Sequence, residues 1–170
     1  MNMKPLKQSP LKVKKSLTAT KSLKSSRSLS ASTGKGSKQK KPSVSKLKKK
    51  ADALYSLYVR LRDSSPDGLC ECITCFEKKP IKSMQAGHFM SRRFNSTRYE
   101  EENCNAQCYR CNVAFNGEQY KYGLNVDLKY GTGTAKKLMK MSAVPHQFTT
   151  EELQQIIDDA KTAIAFYEKE

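Results

Sequence analysis

Cys72-Ile-Thr-Cys75 and Cys108-Tyr-Arg-Cys111-Asn112 are the stretches on which the reading of this chain turns. Two residues between cysteines let one tight turn point both sulfurs at a single ion. Two such hooks complete a tetrahedral structural zinc site. Cys72, Cys75, Cys108 and Cys111 are therefore the expected zinc ligands. Cys70 and Cys104 are left over. Cys70 offers a Cys-x4-Cys alternative to Cys72, while Cys104 reads as a small buried residue. The regular hooks argue for metal in a reducing compartment rather than for disulfides in a secreted chain.

Around the hooks the composition is divided. Residues 1–50 hold 15 lysines, one arginine and no acid, a charge of +16, and the remaining residues balance 16 basic against 16 acidic side chains. The Lys/Ser-rich segment 1–46 contains Pro5, Pro10 and Pro42 and no aromatic residue, too little apolar surface to offset chain entropy. It is expected to be a disordered tail, either a basic arm for phosphates or a plain solubiliser. Residues 47–170 are expected to form one small domain, for which a zinc site supplies a staple. No apolar run is long enough to span a membrane and no secretory h-region is present, so a cytoplasmic location is expected.

The predicted elements give an α+β chain. Ala51, Leu54, Tyr55, Tyr58 and Leu61 recur at helical spacing over 47–62, and Ser64-Ser-Pro-Asp-Gly68 ends that helix as a turn. Ile73–Glu77 and Ile81–Phe89 read as two arms of a hairpin, 91–103 as an irregular loop, and Cys104–Ala114 as a short helix carrying the second hook. Asn116-Gly117 reads as a helix stop. Helices are expected over 118–130 and 134–142. A last helix starts from the capping box Thr149…Glu152 and carries the stripe Leu153, Ile156, Ile157, Ala160 and Ile164.

His88 is one of two histidines, in Gln85-Ala-Gly-His88 between the hooks. An isolated histidine is more often packed or simply exposed, and His146 beside Pro145 is read so. An imidazole can also take a proton from water near neutrality. Cys72-Ile-Thr-Cys75, Ala86-Gly-His-Phe89, Arg93-Phe-Asn95, Asn103-Cys-Asn-Ala-Gln-Cys108, Cys111-Asn112 and Asn116-Gly117 together resemble the NinG/Rap family of phage recombination nucleases, zinc-containing HNH (His-Me finger) enzymes, over about residues 47–167.

The resemblance implies a small zinc-stapled ββα-metal core with flanking helices. It implies His88 as the general base, Asn112 as a ligand of a catalytic Mg2+ or Mn2+ ion, and Asn103 as the residue that pins the histidine loop. Many HNH enzymes carry an aspartate ligand directly before the histidine; here Gly87 stands there, and Gln85 stands where the family pattern often has aspartate, which leaves the second ligand open. Asn105 and Asn116 are further candidates. Arg92, Arg93, Arg98 and Arg110 flank the site as candidate DNA phosphate contacts. The implied activity is endonuclease cleavage of branched or recombination-related DNA in a bacterial host, with a homodimer as a further expectation. The competing reading is a non-catalytic zinc module that binds nucleic acid through the tail.

Overall fold

The computed structural model describes residues 42–169. The basic tail therefore lies, up to residue 41, outside the described residues. Helix α1, Val44–Arg62, begins three residues before the expected start. Ser43 caps it, its hydroxyl accepting the Lys46 amide at 3.4 Å. Strands β1 (Leu69–Glu71) and β2 (Lys78–Pro80) pair antiparallel and flank the first hook. Strands β3 (Met84–His88) and β4 (Cys104–Cys108) form a second antiparallel pair, with Met84 opposite Cys108 and His88 opposite Cys104. Helices α2 (Gln119–Tyr130), α3 (Thr134–Ser142) and α4 (Thr150–Tyr167) complete the order.

Two expectations are corrected here. Ile73–Glu77 is not a hairpin arm, because it curls back as the hook itself. Cys72 N–H donates to the Glu77 carbonyl (3.0 Å) and Phe76 N–H to the Cys72 carbonyl (2.9 Å), with Phe76 at φ 60°. A turn that aims two sulfurs inward cannot also be extended. Cys104–Ala114 is not one helix either. It runs as strand to Cys108, and only Arg110–Ala114 is helical, as a single π-helical turn. Every β4 residue is buried. Asn105 is satisfied by Tyr122, Tyr130 and Lys129, and Gln107 Nε2 by Thr74 and the Gly117 carbonyl. Those partners make an extended polar sequence tolerable in the interior.

The expected helix stop and the later helices are present. Asn116 (φ 49°) and Gly117 (φ 89°) adopt the left-handed conformation at the stop. α3 covers the expected residues, and the Thr149/Glu152 capping box is closed in both directions at 3.1 and 2.8 Å. α1 packs on α4 through Leu47, Ala51, Leu153 and Ile157, and further along through Tyr55, Tyr58, Ala163 and Ile164. Each large apolar side chain so buried contributes about 1.5–3 kcal/mol.

At the other end of α1, Asp63 is wedged against β4. It accepts the Ala106 amide (2.8 Å), Lys129 Nζ (3.0 Å) and Arg62 Nε (2.9 Å). Burial pushes its carboxyl up, but the Arg62 and Lys129 charges and these bonds outweigh burial and hold it at about 2. α1 is thus tied to both the last helix and the strand that follows the histidine loop. No helix among the described residues is long and apolar enough to cross a membrane.

Candidate metal centre and active-site cleft

The two hooks meet. The Sγ atoms of Cys72, Cys75, Cys108 and Cys111 all lie within 4.8 Å of one another. Zn–S bonds of about 2.3 Å in a tetrahedron set sulfur–sulfur edges near ~3.8 Å. Cys75 and Cys108 are 3.8 Å apart. The Cys108 amide donates to Cys72 Sγ at 3.3 Å. Burial pushes the Cys75 thiol up, but the Glu77 amide and the three neighbouring sulfurs outweigh it and bring it to about 7. This donor set fits a soft or borderline cation, and the four cysteines can hold a metal ion such as zinc. Cys70 takes no part, its thiol donating to the Arg60 carbonyl at 3.0 Å.

His88 stands at the far end of β3 from this cluster, on the wall of a cleft of about 590 Å3 whose lining includes Ser56, Gln85, Arg92, Asn112 and Asn116. None of the lining residues is a carboxylate. Asn112 comes from the π-helical turn right after Cys111, so the second hook also delivers the amide. Asn112 Nδ2 donates to Gln85 Oε1 (2.6 Å), which leaves Asn112 Oδ1 as a free acceptor of the kind hard cations take. Gly87 is glycine for a local reason. A Cβ there would stand 2.2 Å from Gln107 Oε1, an oxygen with no donor among the described residues.

The His88 ring is largely buried. Nε2 lies 3.1 Å from the Arg98 carbonyl, so the proton belongs on Nε2 and the lone pair on Nδ1. Cys104 Sγ is nearly equidistant from the two nitrogens, at 3.5 and 3.6 Å. Burial, helped by the Arg92 and Arg98 charges, lowers the imidazole pKa to about 4, against the opposing pull of the Arg98 carbonyl and Asp52. His88 is neutral at pH 7.

Asn103 is fully buried and does not reach the cleft. Its Oδ1 accepts the Met90 amide (2.6 Å), and its Nδ2 donates to the carbonyls of Met90 (3.0 Å) and Thr97 (2.9 Å). It therefore draws the ends of the 90–97 loop together behind the histidine. Asn105 is buried in the Lys129–Tyr130 cluster on the opposite side of the strand from His88's partner Cys104.

The four arginines separate. Arg92 lines the cleft, and Arg93 is exposed against the Phe94 ring. Arg110 is 57% exposed, 3.9 Å from Glu77. Arg98 is 12% exposed and committed to Asp52 at 2.5 Å, so it is turned away from solvent phosphates. His146 packs edge-on against Phe148, 3.7 Å from Glu152, and is not among the residues that line this cleft. Sequence reasoning missed Asp52. Its only local signal is an acid beside the apolar stripe of α1.

Residues 3–170 of the chain match the family described as the bacteriophage lambda NinG protein. The match takes in the basic tail, which the resemblance read from the sequence had left out. No curated protein and no solved structure matches the chain.

Proposed function

The chain belongs to the bacteriophage lambda NinG family, and from that footing we propose that it is a metal-dependent endonuclease of the HNH type acting on branched DNA in the host cytoplasm. The observation that carries the reading is the single cleft on which His88 and Asn112 meet, with a neutral imidazole and an uncommitted amide oxygen. Strand β3, strand β4 and the helical turn after Cys108 follow one another in the order of a ββα finger, which supports the same reading.

In this account the cysteine cluster holds structural zinc, away from the chemistry. A hard divalent cation on Asn112 Oδ1, when bound, would stabilise charge on the phosphate and the leaving oxygen. His88 Nδ1 would accept a proton from water as the water oxygen attacks phosphorus and the P–O bond to the leaving ester oxygen breaks, its electron pair going to that oxygen, while Nε2–H stays anchored on the Arg98 carbonyl. Arg92 at the cleft would meet the phosphates nearest the site, with exposed Arg93 and Arg110 as further contacts in this reading. Exposed Tyr109, Phe115 and Tyr120, in the segment that carries Asn112, offer faces to unstacked bases.

The absence of a carboxylate from the cleft lining favours the second reading, a non-catalytic zinc module that binds nucleic acid. Single-turnover cleavage of linear, forked and four-way DNA with Mg2+ or Mn2+ separates the two. His88→Ala should slow cleavage about 10²- to 10⁴-fold while DNA binding persists. Equal rates for His88→Ala and wild type reject the assignment, and a wild type that cuts no nucleic acid leaves the binding module.

A further inference from the structure

The imidazole of His88 is held by a carbonyl that belongs to neither strand of its sheet. Arg98, whose carbonyl accepts from Nε2, sits in the irregular segment before β4, where no strand ladder fixes the backbone. Three successive carbonyls there each have a separate partner. That of Thr97 takes Asn103 Nδ2 (2.9 Å), that of Arg98 takes His88, and that of Tyr99 takes the Tyr55 hydroxyl (2.9 Å).

The side chains of residues 98 and 99 both end on one carboxylate, Asp52 of α1. Arg98 Nε and Nη2 fork onto Oδ1 and Oδ2 at 2.8 and 2.5 Å, and the Tyr99 hydroxyl donates to Oδ1 at 2.9 Å. The third guanidinium nitrogen bonds the Arg92 carbonyl. Asp52, Tyr99 and His88 line one small cavity of about 40 Å3.

We propose that Asp52 is the positioning residue for His88: by clamping Arg98 and Tyr99 it aims the Arg98 carbonyl at Nε2 and holds the ring in the Nε2–H tautomer. Its catalytic consequence rests on the reading of His88 as the base; the tautomer does not. A bidentate guanidinium–carboxylate pair fixes both partners in one plane. Which ring nitrogen carries the proton is set by the bond the other group offers it. Without the clamp the Arg98 peptide is free to turn, the carbonyl leaves Nε2, and both tautomers are populated. A role in merely tying α1 to the loop would change stability and leave the tautomer alone.

The test is long-range 1H–15N spectroscopy of the imidazoles in the full-length, metal-loaded protein. With only two histidines, His88→Ala assigns the signals. Wild type should show His88 as the single Nε2–H form. Asp52→Asn should give a mixture of tautomers, Tyr99→Phe a smaller shift in the same direction, and Asp52→Glu a return toward wild type, with His146 signals and metal content unchanged throughout. In parallel, Asp52→Asn should lower the single-turnover cleavage rate about 10- to 100-fold at unchanged DNA affinity, with recovery in Asp52→Glu.

A wild type that cuts nothing defeats the nuclease reading, and the spectra still decide the role of Asp52. A folded Asp52→Asn protein with an unaltered His88 tautomer overturns the proposal. If Asp52→Asn does not fold, an unaltered tautomer in Tyr99→Phe overturns it instead.

Discussion

Asn103→Ala should loosen the loop behind His88 at a measurable cost in stability. The wild-type amide serves three backbone groups, and the Thr97 carbonyl keeps the Glu100 amide at 3.2 Å when it goes. The Met90 N–H and C=O lose the partner that Asn103 gives them. An unsatisfied buried polar group costs about 1–3 kcal/mol, so two cost about 2–6 kcal/mol, toward the low end if water enters the vacated space. A domain of this size has roughly 5–15 kcal/mol to lose, so the variant should still fold. Urea unfolding with metal retained measures the loss, and amide hydrogen exchange at Met90 localises it. Cleavage should fall as well, since the 97–99 carbonyls lose one anchor. A loss below about 1 kcal/mol with Met90 protection unchanged would refute the anchoring role.

Metal analysis should find one zinc per chain, and Cys108→Ser or chelation should unfold the core, because binding energy in such sites is folding energy; a chelated protein with native circular dichroism would contradict this. The His88 resonances should show a neutral ring from pH 8 down to about 5, since its pKa of about 4 lies below the ordinary 6.5. The unfolded chain then binds the extra proton, so stability should rise with pH between 4 and 6.5, as read from urea midpoints; a titration midpoint near 6.5 would refute the burial argument. Deleting residues 1–41 should leave the zinc core folded and flatten the salt dependence of DNA binding, as fewer counterions are released. An unchanged slope would assign the tail another role.

The legible parts of the fold were those written locally. The cysteine spacing, the Thr149/Glu152 box and the Asn116-Gly117 stop each act within a few residues, so each could be read from the chain alone. Strand β4 could not. Cys-Asn-Ala-Gln-Cys contains no β-branched residue, and it is extended only because Tyr122, Tyr130, Lys129 and Thr74 arrive from elsewhere to satisfy Asn105 and Gln107. The meeting of His88 with Asn112 was legible through resemblance, not through spacing. Asp52 was invisible because its partners lie 46 and 47 residues away. Arg98 looked like a surface cation for the same reason.

The packing of α1 on α4 has a consequence for the order of events at the ribosome. The cysteine hooks are complete once residue 111 has been made, so a nascent chain can capture its metal early. Asp52 and Tyr55 ride on α1, whose apolar face meets Ala86, Tyr99 and Cys104 early but gains Leu153, Ile157, Ala163 and Ile164 only when α4, Thr150–Tyr167, has followed. Closing so long a loop adds little further delay once both ends exist, since its entropy grows only with the logarithm of length. Waiting for α4 is therefore the slow part. During that interval the emerging chain can hold a metal at its knuckle while the helix that supports the histidine loop is only partly covered, and α1 is fully seated only with the last helix.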